Sequence, residues 1–162
     1  MILAIEAAIG GGSLCLFDGE IEVANWIGDR NGLRAEQLIT QIEVILASAE
    51  INKRDIKTVV VSAGPGSFTG IRIGIATGLG LKNALNVPLF SILALEAMAR
   101  SHNHTGMVAV PMGRGTAAAQ RFFEGTANAP PFSVSTDELF NLDPGSALLV
   151  HDKLAAAPAD RS

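Results

Sequence analysis

The spacing of apolar positions changes character along the chain, and each change marks an element. Residues 2–6 form a short aliphatic run that stops at the carboxylate of Glu6, and a flexible triplet, Gly10, Gly11 and Gly12, follows. Residues 13–17 and 20–27 alternate apolar with polar on either side of Asp18-Gly19, a dipeptide suited to a tight hairpin. Together these runs predict a three-strand meander. From Arg34 the period lengthens: Leu38, Ile42, Ile45 and Ala49 fall at i, i+4, i+7 and i+11, the stripe of a helix over 34–51 that ends near Asn52. Residues 57–62, centred on Val59-Val60-Val61, form an unbroken β-branched run, which predicts a strand covered on both faces.

That strand opens into Gly64-Pro65-Gly66-Ser67-Phe68-Thr69-Gly70, and residues 70–85 read as a helix with Gly70, Gly74 and Gly78 four residues apart on one face. A glycine inside a helix costs about 1 kcal/mol against alanine, so three on one stripe predict a surface that packs hard against something: the chain's own sheet or another polypeptide. Asn86-Val87-Pro88 ends the helix, residues 89–92 read as a buried strand, and 93–100 as a further helix. A meander followed by crossovers is the order of a ribonuclease-H-like α/β lobe with a mixed sheet, here over residues 1–104. Residues 105–162 read as a second lobe of the same type, reduced in length. Its elements are strands near 108–110, 119–124 and 147–151 and a short helix begun by the capping box Ser135-Thr136-Asp137-Glu138. Residues 153–157 offer barely one further helical turn.

Composition narrows the function classes. The chain has 162 residues, 48% of them hydrophobic, enough for a real core. The formal net charge of −4 supplies no basic field for a nucleic-acid backbone, so direct, independent RNA binding is not expected. The single cysteine, Cys15, excludes an intrachain disulfide and reads as inward packing on its strand. No apolar run approaches the roughly 18 residues of a membrane span, which points to no membrane role and a cytoplasmic protein. The histidines are His102, His104 and His151, and His102-Asn103-His104 lies in a polar loop where it reads as an incidental surface pair rather than a metal site.

A glycine-rich turn between a buried strand and a helix N-terminus aims backbone N–H groups at whatever lies above it, which suits phosphate. Here it fails both common phosphate spacings. No lysine follows at the P-loop offset, and Thr69 stands where the dinucleotide fingerprint needs glycine. The whole stretch Gly64 to Gly74, Gly-Pro-Gly-Ser-Phe-Thr-Gly-Ile-Arg-Ile-Gly, instead resembles the hallmark of the TsaB (YeaZ) family of the sugar kinase, heat-shock protein and actin superfamily, once labelled glycoprotease-like. Ile2-Leu3-Ala4-Ile5, Glu36-Gln37-Leu38, Asn86-Val87-Pro88-Leu89 and Leu95-Glu96-Ala97 agree with the same family, so the resemblance is good to about residue 100 and weak beyond.

The resemblance implies an actin-like ATPase fold and a non-catalytic scaffold subunit. Such a subunit pairs with the catalytic TsaD-type paralogue that installs threonylcarbamoyladenosine on tRNA, and a TsaE-type ATPase completes the assembly. It implies a partner or homodimer surface on the helices 34–51 and 70–85, with Arg34, Leu38, Gly70, Arg72, Gly74 and Gly78 as candidates. It also implies a vestigial phosphate site at Glu6, Gly11, Gly12, Gly66, Ser67 and Thr69. Where the family usually has Asp-Thr-Ser after the first strand, this chain has Glu6-Ala7-Ala8, which deletes both hydroxyls. The expectation is no catalytic residue, no metal and no required cofactor, with at most weak ATP or ADP binding. The alternative is a stand-alone nucleotide-binding protein or ATPase of the same superfamily. A metalloprotease has neither H-E-x-x-H nor a ligand cluster to support it.

Overall fold

A computed structural model describes residues 1–29, 35–142 and 147–151. Arg34 and residues 153–157 lie outside the described residues. The chain divides into two compact units, residues 1–92 and 93–162.

The first unit is a five-stranded mixed sheet in the order β3-β2-β1-β4-β5. Strands β1 (Ile2–Glu6), β2 (Ser13–Asp18) and β3 (Ile21–Ile27) form the expected antiparallel meander, turning at Asp18-Gly19, where Gly19 takes φ +60°. β4 (Thr58–Ser62) and β5 (Leu89–Ile92) add on in parallel through the crossover helices α1 (Ala35–Ser48) and α2 (Phe68–Leu85). The α1 stripe falls where the spacing puts it: Leu38, Ile42 and Ile45 are buried with Leu46 against Leu3, Ile5, Leu14, Leu16, Val59 and Val61. Trp26, Ile73, Ile75, Leu81 and Leu85 close the margin of this core.

Alternation along the strands puts the remaining side chains on the opposite face. There β4 departs from expectation. Val59 and Val61 are buried, but Val60 between them is only half-buried, so the two faces are not equally covered. Cys15 is likewise corrected: its strand neighbours Leu14 and Leu16 enter the core, and Cys15, opposite Ala4, turns away from it.

The second unit contains α3 (Ala94–Ser101), the hairpin β6 (Gly106–Gly113) to β7 (Thr116–Phe123), β8 (Thr126–Ala127), β9 (Phe132–Ser135), α4 (Thr136–Leu139) and β10 (Leu148–Val150). β10 pairs in parallel with β6 and the other pairs are antiparallel, so this sheet is mixed too. One of its cores is built from Met107, Ala109, Ala117, Ala119, Val134 and Leu139. The small side chains of Ala109, Ala117 and Ala119 pack there with Val134 of β9 and Leu139 of α4. Half of the expected capping box forms: Glu138 N–H donates to Ser135 Oγ at 3.2 Å, but the Glu138 carboxylate accepts the Ser135 hydroxyl at 2.8 Å rather than the Ser135 backbone N–H. The division falls at Ile92/Leu93, earlier than the expected 104/105, because α3 packs on β6, β7 and β8.

Candidate functional site

The glycine-rich turn and the loop after β1 come together at the ends of adjacent parallel strands. β4 delivers the turn, and Ser67 caps α2 by accepting the Gly70 N–H at 3.3 Å. β1 delivers Glu6, Ala7 and Ala8 beside it. The Ser67 N–H donates to the Ala8 carbonyl at 2.8 Å, and Gly66 leaves just enough room for the Ala8 methyl.

The glycine stripe of α2 is turned toward this seam and toward the sheet. A methyl group at Gly70 would run into the Ala7 carbonyl oxygen and would stand 2.8 Å from Ala8 Cα. At Gly74 it would lie 3.3 Å from the Ala7 methyl, and at Gly78 it would meet Val61 Cγ1 at 2.6 Å. All three glycines are buried. The placement of Gly70, Gly74 and Gly78 on a partner surface is therefore corrected: the stripe seats α2 on the chain's own β1 loop, β4 and β5. Leu38 is corrected in the same way, since it is wholly buried in the first core. Ala7 and Ala8 also gain a reason. Their methyl groups lie against the glycines opposite, Ala7 by Gly74 and Ala8 by Gly66.

Of the interface candidates among the described residues, only Arg72 is exposed, with its guanidinium 5.5 Å from the centre of the Phe68 ring. Phe68 is itself 74% exposed. Leu79 further along α2 and Ile39 and Val44 on α1 are also exposed, although α1 and α2 touch each other. Phe68 and Leu79, eleven residues apart, thus give α2 an exposed apolar face on the side away from the glycines, and Ile39 and Val44 are separate exposed apolar positions on α1. Ile39 and Val44 were detectable in sequence as apolar positions out of phase with the Leu38/Ile42/Ile45 stripe. Phe68 and Leu79 were not, because α2 is apolar nearly all round and its phase is undefined by pattern alone.

The phosphate candidates are mostly engaged with the chain's own backbone rather than converging on one open site. Glu6 curls back so that its carboxylate accepts the Ala8 N–H at 2.6 Å and the Ile9 N–H at 3.0 Å. Burial pushes its pKa up, against the downward pull of those two N–H groups. Gly11 lies with its backbone against the Asp29 carbonyl, at φ +108°, a position open only to glycine. Gly12 is tied by Gly12 N–H to Ile9 carbonyl and Gly28 N–H to Gly12 carbonyl bonds of 3.0 and 2.9 Å. Thr69 is exposed on the first turn of α2. Among the described residues no three His, Cys, Asp or Glu side chains gather as a metal site. Nor is any helix there long and apolar enough to cross a membrane.

A mixed sheet with a β-meander, helical crossovers between parallel strands and a loop-to-turn seam at the strand ends places the chain in the actin-like α/β class. The chain resembles YeaZ from Pseudomonas aeruginosa in fold, with a TM-score of 0.67 at 19% identity over 85% of this chain and 68% of that one. The family described as TsaD, tRNA N6-adenosine threonylcarbamoyltransferase, matches residues 33–120. The chain belongs to this family, in its TsaB (YeaZ) branch. It is 30% identical over 154 residues to an uncharacterized protein of Mycobacterium leprae, covering 93% of this chain and 42% of that one. It is 31% identical over 100 residues to the Escherichia coli K12 protein named tRNA threonylcarbamoyladenosine biosynthesis protein TsaB, covering 61% and 42%. The chain thus spans less than half the length of these two relatives.

Proposed function

We propose that the chain is a non-catalytic subunit that pairs with a TsaD-type paralogue in threonylcarbamoyladenosine modification of tRNA, with a TsaE-type ATPase as a further member of the assembly. Family membership supports the process. The observation that supports the pairing is the exposed apolar pair Phe68 and Leu79, eleven residues apart on one face of α2, with the Arg72 guanidinium 5.5 Å from the Phe68 ring centre. Aromatic and arginine side chains are the residue types that anchor protein interfaces. A stable interface of this kind buries about 1,200–2,000 Å² in total, and the same surface serves a homodimer when the paralogue is absent. The net charge of −4 favours a division of labour in which the partner holds the tRNA phosphates.

The test is co-elution of this chain with the full-length TsaD-type paralogue of the same genome on size exclusion. The wild type is expected to co-elute, and Phe68→Asp or Leu79→Asp to abolish the complex while the variant chain stays folded by circular dichroism. A wild-type chain that runs as a monomer and ignores the paralogue overturns the reading.

A further inference from the structure

The superfamily resemblance implies nucleotide phosphates beside the loop after β1, and the residues present do not fit that group. We infer that Glu6 plugs this position from within: its carboxylate oxygens take the loop N–H groups a phosphate would need, so the first unit's share of an actin-like nucleotide site is closed by the chain's own side chain.

Successive backbone N–H groups at a turn form an anion-binding concavity. In this turn the Ala8 N–H points at Glu6 Oε1, and the Ile9 N–H lies 3.0 Å from both Oε1 and Oε2. A carboxylate thus sits in the concavity as an intramolecular stand-in for an external anion. Three further groups of the seam are also spent. Gly12 N–H is bonded to the Ile9 carbonyl, Ser67 N–H to the Ala8 carbonyl, and Ser67 Oγ receives the Gly70 N–H. Gly66, which could let a ligand approach the backbone, is filled by the Ala8 methyl, and Gly11 by the Asp29 carbonyl. A phosphate would have to displace a covalently tethered carboxylate whose effective concentration far exceeds that of any free anion. The consequence is that the seat of α2 is fixed without a ligand. This inference concerns the β1 loop alone and holds or fails independently of the proposed pairing.

Amide NMR of the full chain tests it. In the wild type, MgATP or inorganic phosphate at millimolar concentration is expected to leave the Ala8, Ile9, Ser67 and Gly70 amide signals unmoved. In Glu6→Ala the loop is still held by the Ser67 to Ala8 bond and the glycine contacts, and the emptied concavity accepts formate. Formate is then expected to shift the Ala8 and Ile9 amides and slow their hydrogen exchange by about tenfold or more. In Glu6→Gln, whose side chain still fills the space, formate is expected to do nothing. Wild-type signals that move with MgATP, or a Glu6→Ala chain whose Ala8 and Ile9 amides ignore formate, overturn the inference. Should Glu6→Ala fail to fold, the wild-type MgATP result still decides, together with slow exchange of the Ala8 and Ile9 amides in the wild type. Free-amide exchange rates there would mean that the plug does not exist.

Discussion

Alanine substitution along α2 separates helix propensity from close packing within a single helix. Gly80 has nothing within 4 Å of where a Cβ would stand, so Gly80→Ala is expected to stabilise the chain by about 0.5–1 kcal/mol through propensity alone. Gly70→Ala receives the same gain but drives a methyl into the Ala7 carbonyl oxygen, with Ala8 Cα at 2.8 Å and the Ala7 carbonyl carbon at 2.9 Å. These are backbone atoms, held by the Ser67 to Ala8 bond and the Glu6 staple, so they cannot swing aside. Overpacking of this kind costs typically 1–3 kcal/mol, and a backbone clash belongs at the top of that range. The net is a loss of about 2 kcal/mol, or roughly 4–8 °C in Tm for a chain of this length. Gly78→Ala meets side-chain ends, Val61 Cγ1 at 2.6 Å and Leu89 Cδ1 at 3.0 Å, and falls in between. Gly74→Ala, with only the Ala7 methyl at 3.3 Å, is expected to lie within about 0.5 kcal/mol of wild type. Urea unfolding followed by circular dichroism gives the order 80, 74, 78, 70 from most to least stable. A Gly70→Ala chain as stable as wild type would show that α2 does not rest on the β1 loop, and the internal assignment of the stripe would fall with it.

Leu38→Ala should cost about 2–5 kcal/mol as a core cavity, whereas Phe68→Ala, at an exposed position, should change stability by under about 0.5 kcal/mol; equal effects in thermal melts would contradict the assignment of one to the core and the other to the surface. Burial holds the folded pKa of Glu6 above its ordinary value of 4.5, so the folded state binds its proton more readily than the unfolded chain. Its contribution to stability is then full below about pH 4.5 and is lost as pH rises through the folded pKa. The stability of wild type relative to Glu6→Gln is expected to fall across that window in paired urea titrations, and a rise would mean that the loop N–H groups outweigh burial. Cys15, whose pKa burial and then the nearby Glu22 carboxylate push up to about 11, holds roughly a hundredfold less thiolate at neutral pH than an ordinary thiol. Iodoacetamide should therefore label the folded chain far more slowly than the urea-unfolded chain, and equal rates would remove the proposed environment.

The residues of the α1 stripe, the Asp18-Gly19 hairpin and the Ser135 helix cap act over a few positions along the chain, and for that reason sequence alone determined them. Leu38, Ile42 and Ile45 share a helix face whatever surrounds them, and Gly19 takes a positive φ because two strands must reverse there. The Gly64 to Gly74 signature likewise carried the family, since its composition is unusual at every position. What the spacing of Gly70, Gly74 and Gly78 could not determine is which polypeptide fills the groove they leave. A groove is defined by its occupant, and the occupant, Ala7 with Ala8, Val61 and Leu89, comes from distant parts of the chain. Glu6 shows the same limit. Its position at the end of β1 is local, but whether its carboxylate points outward to a ligand or back onto the Ala8 and Ile9 N–H groups depends on the packing of the loop against α2, which only the tertiary structure decides.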